Sequence, residues 1–428
     1  MSRRAYLAVM AVALAAPHSA RGYGVYSHGE LIDLVWGDSI RPLLIERYPG
    51  ITEAELARAH AYAYGGCTIQ DLGYYPFNNT FFSNLTHYVR TGDFVAALLR
   101  NASNADELAF AIGAMSHYIG DIYGHSEAVN LSVPKAFPRL ARRYGPVIPY
   151  EPDPIAHGRV EMGFDMAHIG SRRFAPREYR RNIGFSVAQD LLDRTFPEMY
   201  GLTVHNVLGP PPRAIRSYRW AVRRLIPKFM QVQVLINRER FPQEKDTEAR
   251  RKYFETVAQA DYANTPGSAY REPRFSTHAL ALVVRVIPKV GKLKILSLRA
   301  PSTETSDLYF TSMNTSVARM REWTARLRED SSGDLALPNV DLDTGLRTQP
   351  GAYPLTDDTY ARLLNEITTT PGVNIPRGLR DDIQQFYSDP NAPISTKNDR
   401  RTWARVMNQL NQLKASDTSR PAKHSPDP

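Results

Sequence analysis

Ser116-His117-Tyr118-Ile119-Gly120-Asp121-Ile122-Tyr123-Gly124-His125 sets a histidine, an aspartate and a second histidine four residues apart. Steps of four drift only about 40° around a helix of 3.6 residues per turn, so His117 and Asp121 share a face. His125 joins them if the helix continues through Gly124. Ile112, Met115, Ile119 and Ile122 recur at 3-4-3 spacing on roughly the opposite side. A helix with an apolar stripe on one side and ligand-type side chains on the other is expected to be buried on both. Neutral imidazole and carboxylate on one buried face form the donor set of a divalent metal.

Working outward, Asn104 with Glu107 reads as the cap of this helix. Upstream, His28 to Tyr48 carries helical periodicity. Thr52 with Glu55 is a capping box that opens a helix over Glu53–Tyr64, closed by Gly65-Gly66. Residues 67–90 read as an Asn-, Gly- and aromatic-rich loop holding Asp71 and His87, and Gly92-Asp93 starts a short helix through Leu99. Downstream, Pro134 to Tyr144 is a short basic helix, and Asp153-Pro154 opens another through about His168. Helical patterns return at 183–200, 213–240, 245–262, 276–287 and 304–328. The best strand candidate, Thr203–Leu208, is short, so the expected fold class is all-α. Ser331–Asp358 is a Gly/Pro/Asp-rich connector, followed by three short amphipathic helices to about Lys414. From Ala415 the chain is rich in Ser, Pro and Lys and is expected to be disordered.

With 428 residues, 43% hydrophobic and 23% charged, the chain has a globular composition and room for two domains or one large helical body. Arg3 and Arg4 precede an apolar run from Ala5 to Ala16, then small residues up to Gly22. That pattern is a secretory signal peptide, too short to span a membrane, and implies a secreted or periplasmic protein. Cleavage after Ala20 or Gly22 fits, and the second leaves Tyr23 as the mature N-terminus. Cys67 is the only cysteine, so an internal disulfide is excluded and stability must come from core packing or metal. The net charge of +9 falls by the three arginines of residues 1–22. A basic chain of this kind suits anionic lipid or nucleic acid, and equally ordinary solubility. Thr277–Leu296 mixes Leu, Val and Ile with Arg285, Lys289, Lys292 and Lys294, broken at Pro288 and Gly291. It reads as a core helix with a basic outer edge in preference to a piece lying on a bilayer.

Of 11 histidines only His278 and His424 lie beyond residue 205, which places metal or acid–base chemistry in the N-terminal half. His157-Gly-Arg-Val-Glu161 is a second pair at helical spacing, and Asp165 and His168 continue its face as groups that orient ligands. Asp71 stands in a turn-rich context, Gln70 to Pro76. Each motif alone is commonplace: HxxxE on a surface helix is more often a solvated pair, and Asp before Leu-Gly a turn residue. Their order and combination change the odds.

In chain order, an aromatic-Gly pair, His28, Asp71, His87, His117-xxx-Asp121, His125 and His157-xxx-Glu161 resemble the bacterial zinc-dependent phospholipase C family. The related single-strand-specific nucleases share the pattern, and the resemblance covers about residues 23–165. It implies a multi-helix all-α body that cradles three zinc ions. Its metal ligands would be Tyr23 (through its backbone), His28, Asp71, His87, His117, Asp121, His125, His157 and Glu161, with Asp121 bridging ions and His125, His157 and Glu161 forming the third site. Asp71 would also act as base for the attacking water. Tyr23 replaces the family's Trp, the spacing from Tyr23 to His28 is closer to the nucleases, and Glu161 is the lipase-type carboxylate. The step from Asp121 to His125 is shorter than in the best-known members. The implied organisation is a signal peptide (1–22), a catalytic body (23–240), a helical C-terminal extension (241–414) and a disordered tail (415–428). The implied activity is hydrolysis of phospholipid headgroups by a multinuclear zinc-bound hydroxide, in a monomer that meets a phospholipid or membrane surface. A nuclease acting on nucleic acid with the same metals, and a non-catalytic zinc-stabilised membrane-associated protein, are the alternatives.

Overall fold

The computed structural model describes residues 23–170, 185–241, 245–260, 274–330 and 332–418. The expected signal peptide, residues 1–22, and residues 419–428 of the expected tail lie outside them.

Helices begin where a side chain takes up amides that have no partner in the first turn. Helix α1, Val25–Val35, passes through a π turn at Trp36–Ile40 into Arg41–Arg47. Thr52 and Glu55 form the capping box of α2, Glu53–Gly66. Asn79 accepts the Phe81 amide (3.0 Å) to start α3, Thr80–Tyr88. Asn104 accepts the Glu107 amide (3.0 Å) to start α4, Ala105–Tyr123, which runs through a π turn at Gly124–Val129 into Asn130–Ala136. Helix α5, Pro138–Tyr144, is followed by α6, Pro154–Gly170, where Asp153 accepts the Ala156 amide at 2.9 Å. A continuous helical run from Pro211 ends in α7, Ile226–Asn237. Then come α8, Phe275–Val286, the long α9, Thr303–Glu329, and α10, Pro354–Thr369. Arg377–Phe386 and Arg400–Thr418 complete the described chain. Among the described residues there is no strand, only an isolated antiparallel bridge between Val340 and Arg347, so the fold is all-α. No described helix is long and apolar enough to cross a membrane.

Local expectations fail at identifiable places. Thr203–Leu208 is not a strand: Thr203 and Asn206 form a capping box, and Val204–Leu208 is a helical turn. Residues 67–90 are not a loop but a 3₁₀ turn, Gln70–Tyr74, followed by α3, so His87 sits on a helix. The basic helix over 134–144 is split at Phe137, because Pro138 disfavours helical backbone in the residue before it. The last helix reaches Thr418, past the expected start of the tail at Ala415.

Helix α4 is the centre of the core: every residue from Leu108 to Asp121 is buried. Its neighbours are α1, α2 and α9. The contact with α2 is backbone to backbone. A Cβ on Gly113 would fall 2.2 Å from the Ala63 carbonyl oxygen, and one on Gly66 2.0 Å from that of Phe110. Only hydrogen fits at either position. Helix α9 packs on α1, on α4 and on the π turn that follows α4.

Candidate metal centre

Four elements bring five side chains to one point. Helix α4 supplies His117 and Asp121 one turn apart, with His117 Nε2 3.1 Å from Asp121 Oδ2. Helix α1 supplies His28, whose Nε2 is 3.2 Å from Asp121 Oδ1 and whose ring stacks on His117 at 4.3 Å. The 3₁₀ turn supplies Asp71 and α3 supplies His87. His87 Nε2 lies 3.6 Å from Asp71 Oδ1, 3.4 Å from Asp121 Oδ2 and 3.5 Å from His117 Nε2. All five side chains are 0% exposed. They form two overlapping groups able to seat an ion: His28, His117 and Asp121, and Asp71, His87 and His117.

The rings are held in one tautomer. His87 Nδ1 lies 2.7 Å from the Ser83 carbonyl one turn earlier, and His117 Nδ1 3.0 Å from the Cys67 carbonyl. His125 Nδ1 lies 2.7 Å from the Leu342 carbonyl. A carbonyl only accepts, so in each neutral ring Nδ1 donates and Nε2 keeps its lone pair. The Nε2 atoms of His87 and His117 therefore face each other and the carboxylate oxygens, acceptor against acceptor. A cation resolves that arrangement, and carbonyl-anchored imidazoles with carboxylates are the nitrogen and oxygen donor set of zinc. Burial, reinforced by neighbouring His117, pushes the His28 pKa down to about 4, which keeps its ring neutral near pH 7. Burial opposes charge on Asp121 too, but the imidazoles of His117, His28 and His87 hold its carboxyl well below the usual range. His117 is raised in return, Asp121 outweighing the effect of burial.

His125 lies in the π turn that follows α4. The π turn starts at Gly124, one residue before it, and the Asn130 amide reaches back five residues to the His125 carbonyl. Neither tight group of donors includes His125. It meets His157 of α6 instead, ring centroids 5.1 Å apart. Burial and then His125 hold the His157 pKa well below its usual value, and Tyr150 packs edge-on against its ring at 5.6 Å. Glu161 is buried one turn further along α6. The two tight groups found among the described residues do not include His125, His157 or Glu161.

Tyr23 is buried beside His28, ring centroids 5.8 Å apart, and its hydroxyl sits 2.8 Å from Ser312 Oγ and 3.3 Å from Ser316 Oγ on α9. Gly120 makes this possible: a Cβ there would lie 3.2 Å from the Tyr23 ring and 3.3 Å from that of His28. Asp165, on the same helix as His157 and Glu161, reaches across to the start of α1. It accepts the amides of Tyr26 (3.1 Å) and Ser27 (3.0 Å) and the Ser27 hydroxyl (2.7 Å), and so anchors the start of the helix that carries His28. His168 packs on Tyr309 at 4.6 Å, 3.8 Å from Glu30. Of the aromatics in residues 67–90, Tyr75, Phe81 and Phe82 are core, Tyr74 lies against His87 (5.4 Å), and Phe77 is 96% exposed.

The connector after α9 supplies contacts that no motif signals. Besides holding His125, Leu342 donates its amide to the His87 carbonyl at 3.1 Å. Asp343 Oδ2 accepts the hydroxyls of Tyr88 (2.8 Å) and Tyr353 (2.6 Å), and its carbonyl accepts Asn130 Nδ2 (2.8 Å). A main-chain carbonyl has no residue-type signature, so only the folded structure identifies it.

Residues 38–208 match a family model described as zinc dependent phospholipase C, while no curated protein and no solved structure matches the chain. The matched stretch contains Asp71, His87, His117, Asp121, His125, His157 and Glu161, and stops short of Tyr23, His28 and the C-terminal helices. The match to the zinc-dependent phospholipase C family thus falls on the segment that builds most of this buried His/Asp centre.

Proposed function

We propose that the protein is a secreted phospholipase C-type phosphodiesterase that hydrolyses phospholipid headgroups with multinuclear zinc. One observation carries this reading: the lone-pair nitrogens of His87 and His117 converge on Asp121 and on each other in a fully buried site. Zinc bound there would supply Lewis acidity toward phosphate oxygens and an activated water for in-line attack on phosphorus. Asp121, with one oxygen toward His28 and the other toward His87 and His117, would be the carboxylate shared between ions. Asp71 serves as ligand and as base for the attacking water. His125, His157 and Glu161 supply the set for a third ion. The Tyr23 backbone closes the site next to His28. Residues 1–22 direct export, residues 23–240 form the catalytic body, and the helical extension from 241 buttresses it in a monomer.

The test is to purify the protein, measure zinc per chain by elemental analysis, and offer phosphatidylcholine and single-stranded DNA side by side. The reading requires more than one zinc per chain and release of phosphorylated headgroup without nucleotides. Absence of zinc overturns the metal centre. Nucleotide release alone moves the function to a nuclease on the same site.

A further inference from the structure

Helix α8 buries Thr277, Ala281 and Val284 on the side where it meets α7, and Lys228 of α7 donates to Thr277 Oγ1 at 2.5 Å. Its other side is apolar as well. Phe275 is 88% exposed, Leu282 63% and Val286 70%, with Val290 just beyond the helix at 65%. Separated by seven and four residues, Phe275, Leu282 and Val286 fall within about 40° of one another around the helix, so they form one stripe in water. Single exposed apolar residues are ordinary, but an aligned set with a charged rim marks an interaction surface.

The described segments next to α8 in sequence and in contact with it are rich in exposed cations. No acid occurs from Phe275 to Thr303, where Arg285, Lys292 and Lys294 are exposed. No acid occurs from Tyr200 to Arg238 either, and the helical run that ends in α7 exposes five arginines between Arg213 and Arg224. The same surface is coupled to the metal-site helix. The Ser297 carbonyl accepts Arg159 Nε at 2.5 Å, and the Arg299 amide donates to the Arg159 carbonyl at 3.0 Å. Arg159 stands between His157 and Glu161 on α6, so this face is one helix layer from those candidate ligands.

We propose that α8 and the segment through Lys294 dock the protein on an anionic phospholipid bilayer. Phe275, Leu282, Val286 and Val290 enter the boundary between headgroups and acyl chains, and the flanking lysines and arginines pair with lipid phosphates. Three of the four anchors are aliphatic, and this favours a bilayer over nucleic acid, which cationic grooves bind with stacked aromatics. The proposal rests on the phospholipase reading only in making the docked lipid also the substrate.

The experiment is co-sedimentation of the purified protein with phosphatidylcholine vesicles with and without phosphatidylglycerol, for wild type, for Leu282→Asp/Val286→Asp and for Lys292→Glu/Lys294→Glu. Circular dichroism and zinc content serve as folding controls, and turnover of a soluble short-chain phosphodiester is followed in parallel. Wild type is expected to bind phosphatidylglycerol vesicles in a salt-dependent way. Both variants are expected to lose about tenfold or more in binding with soluble turnover unchanged. Equal binding by wild type and variants overturns the proposal. So does a dimer-to-monomer change in the variants without a vesicle effect, or loss of single-stranded DNA binding in place of vesicle binding. Absence of soluble turnover in wild type removes the phospholipase reading and leaves the docking result standing.

Discussion

At Asp121 the two carboxylate oxygens face histidines from different elements: Oδ1 faces His28 from α1, and Oδ2 faces His117 and His87. Replacing it by Asn keeps the shape and removes the charge. Asp121→Asn is expected to strip zinc and lower turnover on the order of a hundredfold or more, while helical circular dichroism stays near wild type. Unchanged zinc content would contradict the bridging role. Gly120 tests the wall behind the ligand. Gly120→Ala puts a methyl against the His28 and Tyr23 rings, which are side chains able to give way by a few tenths of an ångström. Its expected effect is weaker zinc retention, read by chelator titration, with only a small loss of stability.

Between elements, the approach of α2 to α4 is set by Gly66 and Gly113. Gly113→Ala forces a methyl onto the Ala63 carbonyl, a main-chain atom that cannot swing aside. The expected cost is about 3 kcal/mol in chemical denaturation, and a neutral result would show that the helices can separate freely. The π turn acts at the same scale. It carries His125, whose ring packs on His157 of α6. Capping signals made most of these helices legible: Thr52 with Glu55 and Asn104 with Glu107 both form as read. The helix holding His87 was hidden because its cap, Asn79, stands in a stretch whose Asn and aromatic content imitates a loop.

Across the whole molecule, the connector beyond α9 locks the site from outside the family-matched segment. Asp343→Ala leaves the buried hydroxyls of Tyr88 and Tyr353 without their acceptor, and should cost about 2 kcal/mol in denaturation. Asp341 adds a pH dependence. Burial, with Asp343 and Asp357 nearby, raises its pKa from 3.8 to about 8, although Thr356 hydrogen-bonds it. The folded state therefore holds the proton more tightly than the unfolded chain does. The associated stability is fully present below about pH 4 and is lost as pH rises through about 8. Asp341→Asn cannot ionise, so its denaturation midpoint should fall less than that of wild type over this range. Parallel curves would assign the pH dependence elsewhere.

The linear chain by itself determined the all-α class, the caps of its main helices and the row of His, Asp and Glu residues in family order. Those properties depend on spacing and residue type, which periodicity and short-range hydrogen bonding make readable. Tertiary structure supplied the contacts within that row. His28, Asp71, His87, His117 and Asp121 close into tight groups, and His125 packs on His157, its partner in the third site that the resemblance implied. It also decided that Asp165 anchors α1, that the Leu342 carbonyl fixes the His125 tautomer, and that the apolar stripe of α8 faces water. Each of these depends on main-chain atoms or on packing between residues far apart in sequence, for which no local pattern is required.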